Sequence, residues 1–408
     1  MREGAVLGRL DPNSSLYAPD DYEAVNELYF RDILAERTWA ALPAGWHNPE
    51  SAAARSFPLQ SIGTEQAMRY SLDEGAALGA LKHEALRVLS GWESRLLDWN
   101  EVTLSPSVST ANLVVLSALR EHGIRRVVFE TPAYFSTLLQ AELLHLEIRR
   151  VASDRSHNFQ PPIERIVEAL GQEPCAIWLT QPKFGVGSNQ PLAHLQDLRA
   201  VLRENDVLVL DEAADQTYPS LTSSLGAPDC QLIRTRGLLK GIGLNGLRVA
   251  AILHSGSWRA AMEFALEPAG GSLDRYGLEN FAALAASSNA FQTLLSAANA
   301  QVTRLRKELD VRTLGSGLTP SALVNGYIGA LFMDFTQLPG AYEDKRKALL
   351  EHCRQERMPV VLGASVGFAH DPSWEAIRIN YFTSYENVMS SADVLVRALQ
   401  ALRHRLDR

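Results

Sequence analysis

An α/β fold is predicted here: a mostly parallel central sheet with helices on both faces, plus a smaller α+β lobe. The middle of the chain alternates short β-branched runs with helical stretches, the pattern of a sheet threaded by crossover helices. Those runs end in loops carrying Gly, Pro or polar residues, and 408 residues leave room for more than one core.

Residues 1 to about 65 mix aromatics, Pro, Asn and Ser without clear period, apart from an amphipathic stretch around Tyr22 to Trp39. From Thr64 through Leu97 the apolar spacing is helical, and Val102 to Leu104 then reads as a short strand running into Ser-Pro-Ser-Val-Ser. A helix follows from about Thr110 to Glu121. Further strands are predicted at Arg126 to Glu130, Ala176 to Thr180, Val207 to Leu210 and Leu247 to Leu253, with helices such as Ile163 to Leu170 and Leu192 to Glu204 between several of them. An Ala-rich amphipathic pattern from Leu278 to about Leu309 predicts one extended helix. The tail gives Tyr327 to Phe335, a helix from Tyr342 to Gln355, Val360 to Leu362, Ala376 to Tyr381 and a terminal helix. The large domain is therefore expected over 95–290, with 1–94 and 291–408 forming the N-terminal segment and small lobe.

Composition narrows the function classes. The formal charge of −8 and the lack of any Lys/Arg cluster argue against a nucleic-acid partner. No run of about eighteen apolar residues suggests a membrane span, so no membrane partner is expected. Cys175, Cys230 and Cys353 are scattered and odd in number, which fits neither a disulfide framework nor a metal knuckle and points to a reducing, cytoplasmic setting.

The most informative stretch is Lys240-Gly-Ile-Gly-Leu-Asn-Gly-Leu-Arg248, a lysine before a Gly-rich turn with an arginine eight residues on. A lysine amine can form a Schiff base with an aldehyde, and a guanidinium fork suits a phosphate. Surface loops of this composition are also common turns. The strand from Val207 delivers Asp211 at its carboxyl end, where ligands of such sheets sit, although an Asp there also serves as a helix N-cap. Lys240 and Asp211 together meet the needs of pyridoxal phosphate: a Schiff-base lysine and an acidic partner for the pyridinium nitrogen.

With these motifs in this order, the chain resembles the class I/II aminotransferase group of fold type I pyridoxal-phosphate enzymes, over about Tyr70 to Glu386. The resemblance implies an aspartate-aminotransferase-like fold and pyridoxal 5'-phosphate as cofactor. It makes Lys240 the internal-aldimine lysine, Arg248 the phosphate-binding arginine and Asp211 the partner of the ring nitrogen. Ala213 would support one ring face and Tyr134, in Thr131-Pro132-Ala133-Tyr134, would stack on the other. Ser107-Val108-Ser109 stands where the family places a phosphate-binding turn, with helix amides aimed at the anion, though Ser109 also reads as an ordinary N-cap. Tyr70 resembles a tyrosine that reaches the neighbouring subunit's phosphate, implying a homodimer with shared sites. Arg378, in Ile377-Arg378-Ile379-Asn380-Tyr381, resembles the arginine that grips the α-carboxylate of an amino-acid substrate.

The departures are equally specific. Gln181-Pro182-Lys183-Phe184-Gly185-Val186-Gly187 stands where the family has Asn-Pro-x-Asn-Pro-Thr-Gly, so Gln181 and Phe184 replace asparagines. Ala214 occupies the place of a tyrosine, and Gly237 and Leu239 the places of phosphate-side serines. Losing both donors to the cofactor's phenolic oxygen is expected to raise the imine pKa. Gln181, Asp215 and Tyr218 are the candidate replacements. Three functions follow from the resemblance: an amino-acid aminotransferase with Lys240 as acid and base; a lyase, cyclase or β/γ-replacement enzyme of specialised metabolism; or a catalytically silent binding protein on the same fold. No metal site is expected.

Overall fold

The computed structural model describes residues 31–43, 55, 59, 75–153, 155–226, 229, 231–270, 273, 275–286, 289–322, 325–363, 368 and 371–406. Tyr70, Cys230 and most of residues 1–65 lie outside these.

A short helix α1 (Arg31–Glu36) and a long helix α2 (Gly75–Trp92) precede the first strand, β1 (Val102–Ser105). Then follow α3 (Val108–Glu121), β2 (Arg126–Thr131), α4 (Phe135–Leu143), β3 (Glu147–Ala152), α5 (Ile163–Leu170), β4 (Cys175–Thr180), α6 (Leu192–Val201), β5 (Val207–Glu212), β6 (Leu232–Gly237) and β7 (Ala250–Leu253). These strands form one seven-stranded sheet in the order β1-β7-β6-β5-β4-β2-β3. Only β7 runs against its neighbours, pairing antiparallel with β1 and β6; the other pairs are parallel. The predicted mostly parallel sheet is observed.

Alternation along the central strands explains why both faces are covered. Val207 and Val209 of β5, with Ala176 and Trp178 of β4, pack towards α3, α4 and α7 (Arg259–Gly270). Leu208, Leu210, Ile177 and Leu179 point the other way, onto α5 and α6. Each strand is therefore buried on both sides and reads as a nearly continuous apolar run.

Beyond the sheet come α8 (Arg275–Ala285), α9 (Ala290–Thr313), β8 (Leu318–Pro320), β9 (Ile328–Asp334), α10 (Tyr342–Gln355), β10 (Trp374–Asn380) and α11 (Tyr385–Leu406). The last three strands form an antiparallel sheet in the order β10-β9-β8. Its apolar face packs with α9, α10 and α11 in the largest core cluster, which also takes in α2 and α8.

Several expectations are corrected. The single helix expected from Leu278 to Leu309 is two, α8 and α9, with residues 287 and 288 outside the described set. Val360 to Leu362 is not a strand: Leu362 makes only an isolated bridge to Ile377. The helix expected to reach Glu204 ends at Val201, and the strand expected from Leu247 starts at Ala250. Strands β3 and β6 escaped the apolar-run criterion because their sequences, Glu-Ile-Arg-Arg-Val-Ala and Leu-Ile-Arg-Thr-Arg-Gly, are rich in arginine. In β6 both Arg234 and Arg236 are fully buried, which no composition rule anticipates.

Candidate active site

One cavity lies at the carboxyl ends of β4 and β5, where the sheet rule places ligands. Val108, Ser109, Tyr134, Asp211, Ala213 and Lys240 line one side; Pro182, Lys183, Phe184, Gly185 and Ala214 contribute elsewhere, and Gly326, Tyr327 and Ile328 enter from the small lobe.

Asp211 ends the apolar run of β5 and is almost wholly buried. Its carboxylate accepts from Asn112 Nδ2 at 2.9 Å, the Ala213 amide at 3.1 Å and Thr235 Oγ1 at 3.4 Å. Burial pushes the carboxyl up from its ordinary range, while the Asn112 hydrogen bond, the Lys240 charge and the Ala213 and Thr235 donors pull against that shift. Asn112 also donates to Thr137 at 3.0 Å, which fixes its orientation. It lies three residues after Ser109 and four after Val108, so it shares their face of α3. That spacing was the available signal for a residue sequence reasoning missed.

Lys240 opens a short 3-10 turn, Lys240–Ile242, closed by Gly243 at φ 86°, a left-handed conformation that suits glycine. Its Nζ lies 5.8 Å from the centroid of the Tyr134 ring. Tyr134 sits at the N-terminus of α4, and its ring is 5.4 Å from that of Phe184 at 57°. Asn245, within the Gly-rich turn, donates to the hydroxyl of buried Tyr327 at 3.1 Å, which ties the lysine turn to the small lobe.

The N-cap of α3 is Ser107, whose hydroxyl accepts from the Thr110 amide at 3.0 Å; the role considered for Ser109 belongs to Ser107. Ser109 instead lines the cavity in the first turn, where helix amides have no intrahelical acceptor. Arg248 is exposed and does not line the cavity. Leu247 and Val249 turn inward on either side of it, so alternation sends its side chain outward. The observed pairing of β7 with β1 ends at Ala250 and Ser105, two residues short of Arg248.

Ala213 stands in the cavity wall with Phe184 and Ala214, the positions of the two missing donors. None of the three proposed replacements does. Gln181 accepts from the Gln190 amide at 2.8 Å and donates to the Gln190 carbonyl at 3.4 Å. Asp215 is held by Asn325 at 2.6 Å, Thr217 Oγ1 at 2.7 Å and Arg236 at 3.2 Å. Tyr218 packs beside Trp92 and Phe291, and its hydroxyl lies where a Cβ on Gly91 would be, 2.2 Å away. Asp215 belongs instead to a buried network in which Arg234 pairs with Glu93 and Glu212, and Arg236 with Glu212 at 2.9 Å.

Gly237 explains the absent serine. A Cβ there would sit 2.5 Å from the Ala213 carbonyl oxygen and 3.0 Å from Lys240 Cβ. The Ala213 backbone, just past β5, comes too close to the end of β6 for a side chain at 237.

Lys183 is the unforeseen charged group. It is buried, lines the cavity and forms an ion pair with buried Glu130, whose other oxygen accepts from Gln190 Nε2 at 2.6 Å. Burial pushes Glu130 up and Lys183 down, each opposed by attraction to the other.

Arg378 is buried on β10, paired with Ala330 of β9, two positions from the Ile328 that lines the cavity. Its side chain is not itself part of the lining.

The family model "Aminotransferase class I and II" matches residues 81–390. The chain belongs to that family. Its members are pyridoxal-phosphate-dependent transferases, which makes this chain an enzyme of that type. No curated protein matches the sequence. Among solved structures, Thermus thermophilus aspartate aminotransferase with maleate is 17% identical, with TM-score 0.73 over 93% of this chain and 97% of that one. Thermotoga maritima aspartate aminotransferase gives 15% identity and 0.72 over 93% and 97%. The aromatic aminotransferase of Pyrococcus horikoshii gives 15% and 0.68 over 94% and 92%. These likenesses establish the fold. Among the described residues no helix is long and apolar enough to cross a membrane, and no cluster suited to a metal ion occurs.

Proposed function

We propose that the protein binds pyridoxal phosphate through a Schiff base at Lys240 and acts on an amino acid by aminotransferase-type chemistry. The observation that carries this reading is the convergence of Lys240, Asp211, Tyr134, Ala213 and Ser109 on one cavity. The ring end fits: a buried carboxylate with its own donors, an aromatic face beside the amine and a small residue at 213.

When bound, the cofactor supplies an electron sink for the substrate's α-carbon. Asp211, fixed by Asn112, would hold the ring nitrogen's proton. Tyr134 and Ala213 would flank the ring and exclude water. Lys240 Nζ would take the proton from the substrate α-carbon as general base and deliver it, as general acid, to the carbon that was the cofactor's aldehyde. The turn Ser107-Val108-Ser109 would hold the phosphate, and a part for Arg248 there follows from the family resemblance alone. Arg378 would grip the substrate α-carboxylate. A homodimer, with Tyr70 reaching the partner's site, follows from the family resemblance, as does a division into 95–290 and the remaining segments. Buried, unpaired Cys175 and Cys353 support a reducing compartment such as the cytoplasm.

Phe184 and Ala214 in the cavity wall favour keeping a second reading, elimination, cyclisation or replacement at the β or γ carbon. One experiment addresses both. Protein loaded with the cofactor is reduced with borohydride and mapped, then a fresh sample is mixed with an amino-acid panel. Transamination leaves the cofactor as its amine and yields a 2-oxo acid; elimination or replacement returns it unchanged with a leaving group. Colourless protein with unlabelled Lys240 overturns the proposal.

A further inference from the structure

The small lobe reaches the cavity through three consecutive residues, Gly326, Tyr327 and Ile328, and the residue just before them is tied into the large domain. Asn325 is almost wholly buried, and its side chain is shared between the two lobes. Its Nδ2 donates to Asp215 Oδ1 at 2.6 Å, and its Oδ1 accepts from the Gln216 amide at 2.9 Å and the Gly326 amide at 2.7 Å. Its own amide donates to the Gly187 carbonyl at 3.0 Å. Asp215 is fixed in turn from the sheet, where Arg236 of β6 pairs with its other oxygen at 3.2 Å. A continuous polar path therefore runs from the core of β6 to Gly326.

Gly326 leaves no slack at the end of that path. Its φ is 74°, a conformation that suits glycine, and a Cβ there would lie 2.7 Å from Pro182 Cγ. The chain then enters β9, whose Ile328 pairs with Asn380 and whose Ala330 pairs with Arg378 of β10. The Tyr327 carbonyl accepts from the Tyr381 amide at 2.8 Å, which carries the same register one step further. Where Asn325 is held thus sets where the strand pair bearing Arg378 begins.

Resting on the proposed cofactor site, we propose that Asn325 is a positioning residue: by joining Asp215 to Gly326 it sets where the carboxylate end of an amino acid lies relative to the cofactor held at Lys240. Its side chain does not line the cavity, so it acts through Gly326, Tyr327 and Ile328 rather than on the reacting atoms. Burial gives it leverage, because removing the side-chain amide takes from the Gln216 and Gly326 amides the acceptor that fixes them.

Two nucleophiles that displace Lys240 from the cofactor separate this role from a purely structural one. Each forms a nitrogen–carbon bond at the cofactor's aldehyde carbon and expels the Lys240 amine, which takes up the proton the incoming nitrogen gives up. Hydroxylamine has no carboxylate; aminooxyacetate has one. Both displacements are followed on cofactor-loaded protein by loss of the visible band of the Lys240-bound cofactor. We expect Asn325→Ala to slow displacement by aminooxyacetate about tenfold, to leave displacement by hydroxylamine at the wild-type rate, and to keep cofactor loading and borohydride labelling of Lys240 unchanged. Asn325→Ser, which shortens the reach to Asp215, should show the same selectivity and decides the matter where the alanine variant does not fold. Leu399→Ala thins the core under α11, is not part of the cavity lining, and should lower Tm while keeping both rates. Equal slowing with both nucleophiles assigns the effect to the cofactor or the lysine turn and overturns the proposal, as does an unchanged aminooxyacetate rate in a folded variant. The same selective loss in Leu399→Ala reduces the effect to stability and overturns it too. Wild-type protein in which borohydride leaves Lys240 unlabelled overturns the cofactor reading itself, so the label tells the two failures apart.

Discussion

The two long sides of the cavity differ in how their charges are arranged. On the side made by β5, α3 and the lysine turn, Asp211 and Lys240 face the space and are oriented by neutral neighbours, Asn112, Thr235 and Tyr134. On the side made by residues 182–185, Pro182, Phe184 and Gly185 offer no side-chain donor, and the Lys183 amine is buried in an ion pair with Glu130. The first arrangement follows the family's order of residues. The second departs from the family's pattern at Phe184 and Ala214, so the contrast sets a side that keeps the family's residue types against one that does not.

Lys240→Ala tests the first side most directly. Without the amine neither attachment nor proton transfer at the α-carbon is available, and turnover should fall by on the order of 10³-fold or more. Rate measurements with borohydride mapping check it; retained turnover and labelling elsewhere would break the contrast by moving the chemistry to another group.

Asn112→Leu has the next largest expected effect. The substitution removes the donor that most opposes burial of Asp211, so the carboxyl rises further and takes up a proton at higher pH. Thr137 loses its partner as well. We expect a loss of about 1–3 kcal/mol in stability, read by urea unfolding, with a tenfold slower half-reaction. An unchanged rate would mean that Asp211 does not need to stay ionised.

Much of this side was legible in the sequence, for a physical reason. An apolar run buried on both faces must end at the sheet's carboxyl edge, so Asp211 announces its own position. Lys240 is flagged by glycines that a tight turn requires. The opposite wall was harder to read because its key pair is distant in sequence: Lys183 in a loop and Glu130 at the end of β2 meet only in the folded chain. The same holds for β6, whose arginines look solvent-seeking until Glu93, Glu212 and Asp215 are placed around them. Ser109 was the cap the sequence suggested; the hydroxyl that meets an amide three residues on is that of Ser107, and it is the one that caps.

Gly237→Ser asks whether the missing phosphate-side hydroxyl can simply be restored. The new Cβ would press on the Ala213 carbonyl at 2.5 Å, backbone against side chain, with no flexible end to yield. We expect a destabilisation of about 1–3 kcal/mol by thermal or urea unfolding, and no gain in cofactor affinity. A tighter-binding, equally stable variant would show that the lysine turn relaxes away from β5.

Phe184→Asn sharpens the contrast with the smallest effect. It places a donor on the apolar wall and removes a ring that lies 5.4 Å from Tyr134. The lost ring contact should cost about 0.5–1.5 kcal/mol. A donor near the ring oxygen acts in the same direction as a cation, so the pH midpoint of the visible band should fall by somewhat less than about one unit. An unmoved midpoint would mean that a side chain at 184 does not reach that oxygen, and the two sides of the cavity would then be independent.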